Sequence, residues 1–223
     1  MRLRLENREA PSRLMVWLSP LLAVGLTLGA SLLLFAALGF PPLATVQAFF
    51  VTPIASLRGL TELLVKATPL VLCALGLAVG FRAGVWNIGA EGQLTMGALA
   101  GTGLALAAYG QGGPWLLPLM LLAGVLGGMA WAAIPAWLHT RCHTNEILTS
   151  LMLTYVALLV LGWLIHGAWR DPEGFGFPES RLFEPSARLP LLWPGTRLHL
   201  GAALALGAAL SLWLVLSRSL IVL

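Results

Sequence analysis

Charge is what this chain has least of. Asp, Glu, Lys and Arg make up 10% of its 223 residues, against about 25% in a soluble domain. Hydrophobic residues make up 58%, and the mean hydropathy is +0.87. That much apolar surface needs a lipid bilayer, so the chain reads as an integral membrane protein. Lysine occurs once, at Lys66, and aspartate once, at Asp171. A single aspartate excludes a paired intramembrane aspartate site. The lone lysine follows Leu64-Val65 and so cannot complete a G-x-x-x-x-G-K-[ST] phosphate loop. G-x-S-x-G and H-E-x-x-H are also absent, so the chain reads as no enzyme, and it binds no cofactor of its own. The net charge of +4 comes from arginines at segment ends. No basic stripe with interleaved aromatics accompanies it, and no nucleic-acid partner follows. Two cysteines, Cys73 in an apolar run and Cys142 in a polar one, form no disulfide framework. His139, Cys142 and His143 lack a fourth ligand and the usual spacing, so they read as a polar loop and no metal is predicted.

Long apolar runs fill the rest. Arg2, Arg4, Arg8 and Arg13 precede Leu14–Phe40, which exceeds the roughly 7–15 apolar residues of a signal peptide and reads as a retained first span. The pattern predicts an all-α, polytopic membrane helix bundle of about six spans. The other five are Leu63–Phe81, Gln93–Ala108, Trp115–Leu138, Ile147–Ala168 and His199–Leu216. Leu43–Thr61 reads as interfacial, Gly110–Pro114 as a turn and His139–Glu146 as a short polar loop. Gly25-x-x-x-Gly29 and Gly124-x-x-x-Gly128 offer small faces for close helix approach. The whole, 1–223, reads as one transmembrane domain. Arginine bias in the short loops places 1–13 in the cytoplasm and the charge-balanced loop 169–197 outside.

One stretch interrupts the pattern: Arg82-Ala83-Gly84-Val85-Trp86-Asn87-Ile88-Gly89-Ala90-Glu91-Gly92-Gln93. Leu70–Phe81 before it and Leu94–Ala108 after it carry no charge. Polar groups at membrane depth persist where protein or a water-filled path surrounds them. Asn87 and Gln93 each offer donors and acceptors. A carboxylate such as Glu91 needs a partner, with Arg82 or Lys66 the nearest. Two readings fit these residues equally: a broken helix lining a substrate path, or a solvated cytoplasmic turn. Elsewhere, Asn145 reads as a helix cap and Glu146 as a charge suited to a helix N-terminus. Thr154 reads as a hydroxyl bonding a neighbouring helix backbone. Trp86 and three other tryptophans sit near segment ends, as an aromatic belt does.

The run Ala67-Thr68-Pro69-Leu70 through Phe81–Gln93 resembles the signature of ABC-importer permeases of the branched-chain amino acid/ribose family, in the subgroup serving simple sugars and nucleosides. Trp86 stands where phenylalanine is usual. Asn145–Tyr155 and Arg170–Pro178 are similar to two further runs of that subgroup, although an asparagine is common where this chain has Thr154. The resemblance covers the chain from about Leu63. It implies a permease of the second importer fold, in a bacterial inner membrane with its N-terminus cytoplasmic. The implied partners are a second permease subunit, ABC ATPase subunits that hold ATP-Mg, and an extracytoplasmic solute-binding protein. A path between two permeases would then pass Trp86, Asn87, Glu91 and Gln93 near mid-membrane, with Glu91 tied to Arg82. Family members continue into a cytoplasmic coupling helix, which Leu220–Leu223 do not resemble, so the chain reads as the N-terminal part of such a permease. The rival expectation is a polytopic membrane scaffold or assembly subunit without transport.

Overall fold

The computed structural model describes residues 12–218, which form seven α-helices. Five of these are long and apolar enough to cross a membrane. Arg2, Arg4, Arg8 and Leu220–Leu223, used above for orientation and for the chain's end, lie outside the described residues.

The chain divides into two compact units, residues 1–63 and 64–223. In the first, α1 (Arg13–Ala37) is followed by the short α2 (Pro42–Phe50). Pro42 takes the first helical position of α2, where a missing N–H costs nothing. The rings of Phe35 and Phe49 stack with centroids 5.9 Å apart, closing α2 onto α1. Within its own unit, nothing lies within 4 Å of a Cβ built on Gly25 or Gly29.

Helix α3 (Leu57–Arg82) begins six residues before the expected second span. The Ser56 hydroxyl accepts the Gly59 amide at 3.0 Å, the bond of an N-cap. This local cap overrides the polar residues that made Leu43–Thr61 look interfacial throughout.

In the second unit, α4 (Ala90–Ala107) packs against α5 (Leu116–Cys142) and α6 (Glu146–His166). Lipid gives helices no hydrophobic reason to associate, so close backbone approach must hold them. α4 supplies that approach through buried Gly92, Gly97 and Gly101. A Cβ on Gly97 would stand 2.7 Å from the Gly124 carbonyl oxygen, and one on Gly92 2.7 Å from the Thr154 Cα. The Gly124–Gly128 face is therefore used within the chain. α4 is also the one expected span that falls short of the length-and-apolarity measure for crossing a membrane, because Glu91, Gln93 and its glycines dilute it.

α5 runs on through His139–Cys142, expected as loop. The Thr140 hydroxyl folds back onto the Ala136 carbonyl at 3.0 Å, so the polar residues do not compete with the helix. His143 ends it in a left-handed conformation (φ 53°). Residues 167–199 are irregular but ordered, with isolated bridges Arg170–Ser180 and Leu191–His199 and a 3-10 turn at Pro185–Ala187. Glu184 accepts the Gly110 amide at 3.2 Å, tying this segment to the turn after α4. Finally, α7 spans Leu200–Arg218.

The packing makes a prediction. Gly97→Val forces its Cβ into the Gly124 carbonyl, and overpacking of this kind costs about 1–3 kcal/mol. Thermal unfolding of the purified protein in detergent is expected to fall by several degrees for Gly97→Val. Gly207→Ala, with open space around its Cβ, is expected to match the unchanged chain.

Candidate functional site

The break in the apolar pattern is a non-helical segment. Residues 83–89 carry no helix, while Glu91 and Gln93 already belong to α4. Gly84 makes the reversal at the end of α3 with φ +74°, a conformation L side chains rarely adopt. The segment then climbs back along the bundle. Its position follows from its neighbours: Gly92 abuts Thr154, ninth of the 21 residues of α6. A Cβ on Gly128, thirteenth of the 27 residues of α5, would stand 3.2 Å from the Gln93 carbonyl oxygen. The N-terminus of α4 therefore starts close to half-way along two membrane-length helices.

At that depth every backbone group needs a partner. The Val85 amide donates to the Gly80 carbonyl at 2.9 Å, and the Gln93 amide to the Gly89 carbonyl at 3.0 Å. The Ile88 amide donates to the Ser150 hydroxyl at 3.2 Å, and the Gly89 amide to Asn87 Oδ1 at 2.8 Å. A Cβ on Gly89 would lie 2.8 Å from the Ser150 carbonyl oxygen, so this seat on α6 has no room for a side chain.

Asn87 and Gln93 then close a reciprocal pair. Asn87 Nδ2 donates to Gln93 Oε1 at 3.1 Å, and Gln93 Nε2 donates to Asn87 Oδ1 at 3.2 Å. The Gly89 amide fixes which way both amides face, because an N–H must meet an oxygen. Asn87 Oδ1 thus spends both lone pairs. One N–H on Asn87, one N–H on Gln93 and one lone pair on Gln93 Oε1 remain for a guest.

Two cavities meet at this pair. One, about 310 Å³, extends toward the α5–α6 turn, past Pro135, His139 and Glu146. The other, about 320 Å³, lies between Leu72 and Cys73 of α3 and Ala90 and Leu94 of α4. Both include Gly76, Leu77, Asn87 and Gln93 in their walls.

The remaining candidates are placed elsewhere. Trp86 is exposed, its ring 5.2 Å from that of Phe81, and lines neither cavity. Glu91 is exposed on the first turn of α4. The expected Arg82–Glu91 tie is not formed. Arg82 donates instead to the Leu216 carbonyl at 3.3 Å, on the last turn of α7, and the partial positive charge of α4's own N-terminus faces Glu91. Asn145 caps α6, accepting from the Ile147 and Leu148 amides at 2.9 and 3.3 Å. Glu146 meets His139 Nδ1 at 3.2 Å. That nitrogen also lies 2.8 Å from the Thr144 carbonyl, which can only accept, so Nδ1 carries the proton. Thr154 bonds its own helix at the Ser150 carbonyl, 3.2 Å, and not a neighbouring one.

This architecture coincides with a sequence match. Residues 59–221 match the family model described as the branched-chain amino acid transport system permease component. The chain belongs to this family. A glucose ABC transporter permease protein of Haloferax volcanii is 40% identical over 190 residues, which are 85% of this chain and 50% of that protein. A nucleoside ABC transporter permease protein of Lactococcus lactis is 32% identical over 155 residues, 69% of this chain and 42% of that one. A guanosine ABC transporter permease protein of Bacillus subtilis is 31% identical over 193 residues, 85% and 54%. The chain spans about half the length of these curated relatives. No solved structure matches it.

Ser150 is the residue of this permease that sequence reasoning passed over. It is buried, and its side chain ties the break to α6. A serine one turn after an Asn cap carries no signal of its own, since its role depends on a segment 62 residues away. Ser150→Ala leaves the half-buried Ile88 amide without its partner, a loss of about 1–2 kcal/mol. Hydrogen exchange is expected to accelerate at Ile88 and Gly89 by tenfold or more. Exchange at the α6 amides beyond Thr154 is expected to stay unchanged.

Proposed function

We propose that this chain is the membrane-embedded part of an ABC-importer permease that passes a neutral, hydroxyl-rich solute, a simple sugar or a nucleoside, across a bacterial inner membrane. The observation that carries the reading is the Asn87–Gln93 pair. It sits at the head of a helix that begins mid-bundle, with two cavities against it and unspent hydrogen-bonding capacity on both amides. Discontinuous helices of this kind line solute sites in transporters. In the cavity between α3 and α4 the walls beside the pair, Leu72, Gly76, Leu77, Ala90 and Leu94, carry no charge, and in the other cavity His139 and Glu146 meet each other, which favours an uncharged guest. The glucose, nucleoside and guanosine named for the three relatives are of that class.

On this reading the chain hydrolyses nothing and binds no cofactor. A second permease subunit completes the path, and paired ATPase subunits holding ATP with magnesium drive alternating access. A solute-binding protein delivers cargo to the outer face. The N-terminus and the α5–α6 turn, with Arg141, lie on the cytoplasmic side, and residues 169–197 lie outside. Trp86 and Glu91, exposed on this chain, face the second subunit.

Uptake tests the proposal. In the full-length transporter, Asn87→Ala with Gln93→Ala is expected to lower uptake of the labelled solute at least tenfold at equal expression, because two hydrogen-bonding groups are lost from the path. A competition panel of unlabelled sugars and nucleosides identifies that solute. Uptake unchanged by the double substitution removes the pair from the path. No uptake of any member of the panel by the unchanged transporter returns the reading to a scaffold without transport.

A further inference from the structure

A threonine in a membrane helix ordinarily bonds back to a carbonyl of its own helix. Thr68, Thr140 and Thr154 do so, reaching the Leu64, Ala136 and Ser150 carbonyls at 2.8, 3.0 and 3.2 Å. The Thr95 and Thr102 hydroxyls on α4 make no such bond, nor any other among the described residues. Their spacing of two helical turns puts them on one face of α4, together with Glu91 and Ala98. Neither hydroxyl is sealed inside the protein, since the buried side-chain polar atoms without a partner are Trp131 Nε1 and the Thr144 hydroxyl. Both line a recess of about 310 Å³ between α4 and the second half of α6.

The chain leaving α6 builds the far end of this recess. The Trp169 amide donates to the Leu164 carbonyl at 2.9 Å, and the indole lies over α4 at Gly103, where a Cβ would stand 3.4 Å from its Cζ2. An isolated bridge joins Arg170 to Ser180, and the Asp171 amide donates to the Glu179 carbonyl at 2.8 Å. This fold-back brings Ser180 to the wall beside Trp169. The Ser180 hydroxyl has only a 3.5 Å contact with the Arg181 carbonyl, the outer limit of a hydrogen bond. Leu99, Leu161 and Ile165 form the apolar side, and no ionisable side chain among the described residues lines the space.

We propose that this recess binds a single sugar ring, free or as the ribose of a nucleoside. It is a site separate from Asn87 and Gln93, neither of which lines it. Three hydroxyls can each donate to or accept from the hydroxyls of the ring. The indole and the apolar side chains pack against the C–H face that such a ring also presents. The volume falls at the small end of the range of ligand pockets, which suits one ring. A phosphate or carboxylate would find no cation here, and an acyl chain would leave the threonine hydroxyls unpaired. The class of solute rests on the permease reading, while the site rests on the geometry of α4, Trp169 and Ser180. That reading turns Glu91 toward the second subunit. A sugar held on the same face of α4 then lies on the outer side of the break, beside the path between the subunits.

Ile165→Cys puts a reporter thiol in the apolar wall and leaves every polar group of the recess in place. The experiment uses the full-length transporter assembled with its partner subunits in lipid nanodiscs. Cys73, Cys142 and any thiols beyond residues 1–223 are replaced by serine. The rate of modification by N-ethylmaleimide is measured without ATP, with glucose, uridine or glucuronate added in turn. Glucose or uridine at twice its dissociation constant is expected to slow modification about threefold, since the shielded fraction follows mass action. Glucuronate, the same ring with a carboxylate, is expected to leave the rate unchanged. Thr95→Val with Thr102→Val keeps the shape of both side chains and removes both hydroxyls. In the Ile165→Cys background this pair is expected to abolish the protection and to leave the rate without sugar unchanged. Trp169→Leu is expected to abolish it as well, and serves if the valine pair fails to assemble. Protection by neither sugar, protection that survives these substitutions, or equal protection by glucuronate overturns the site. Uptake of labelled glucose and uridine by the same protein reads the permease separately. Protection without uptake keeps the site and removes import of these solutes, and uptake without protection does the reverse.

Discussion

A chain that leaves helical conformation at membrane depth must find a partner for every backbone group it frees, and this requirement organises the second unit of the protein. Residues 83–89 are a turn and an irregular stretch, and cannot bond to one another as a helix does. The Ile88 amide is met by a serine on α6 and the Gly89 amide by the side chain of Asn87, while the α4 helix resumes from the Gly89 carbonyl. Gly89 and Gly92 have no side chains because α6 stands where a Cβ would go. The same economy extends along α4, where Gly97 and Gly101 rest on backbone atoms of α5. The small residues thus serve one purpose, to bring α4 close enough for neighbours to satisfy the break.

From that constraint the chemistry follows with little further input. Placing Asn87 where it can receive the Gly89 amide orients its side chain, and Gln93, one turn into α4, is then within reach of it. The amides satisfy each other without charge, which is the least costly way to keep polar groups inside a bundle. They also keep one N–H each and one lone pair on Gln93 Oε1 unspent. Glu91 illustrates the alternative. It is placed at the N-terminal turn of α4, where the helix dipole favours a carboxylate, and it makes no ion pair with Arg82. Arg82 instead meets a carbonyl on the last turn of α7, the end of a helix that favours a cation.

Much of this was legible in the sequence, and what was not has identifiable causes. The apolar runs located α1, α5, α6 and α7 within a few residues, because hydrophobicity sustained over membrane length has few other readings. The cluster of glycines and amides marked the break. Hydropathy could not show that α4 starts mid-bundle, because its composition is diluted by the very residues that let it pack. The beginning of α3 was missed because Ser56 outweighed the polar residues beside it, and the extension of α5 because Thr140 bonds back along its own helix. Glu91 was given Arg82 as a partner on proximity in sequence, while the fold turns the two toward different helix ends. Ser150 and His139 owe their roles to segments distant in the chain or to a turn geometry set by His143, and neither is written in local pattern.

The central claim is that the chain after Arg82 climbs from one face of the bundle to its middle. Nitroxide labels at Val85, Ile88 and Leu94, all exposed on this chain, measure it directly in the full-length transporter in bilayers. Depth is read from collision with oxygen against collision with a water-soluble nickel chelate. The account predicts three increasing depths, shallow at Val85, intermediate at Ile88 and near the bilayer centre at Leu94. Labels at Val85, Ile88 and Leu94 that all report the headgroup region would contradict it and return the break to a turn in the cytoplasm.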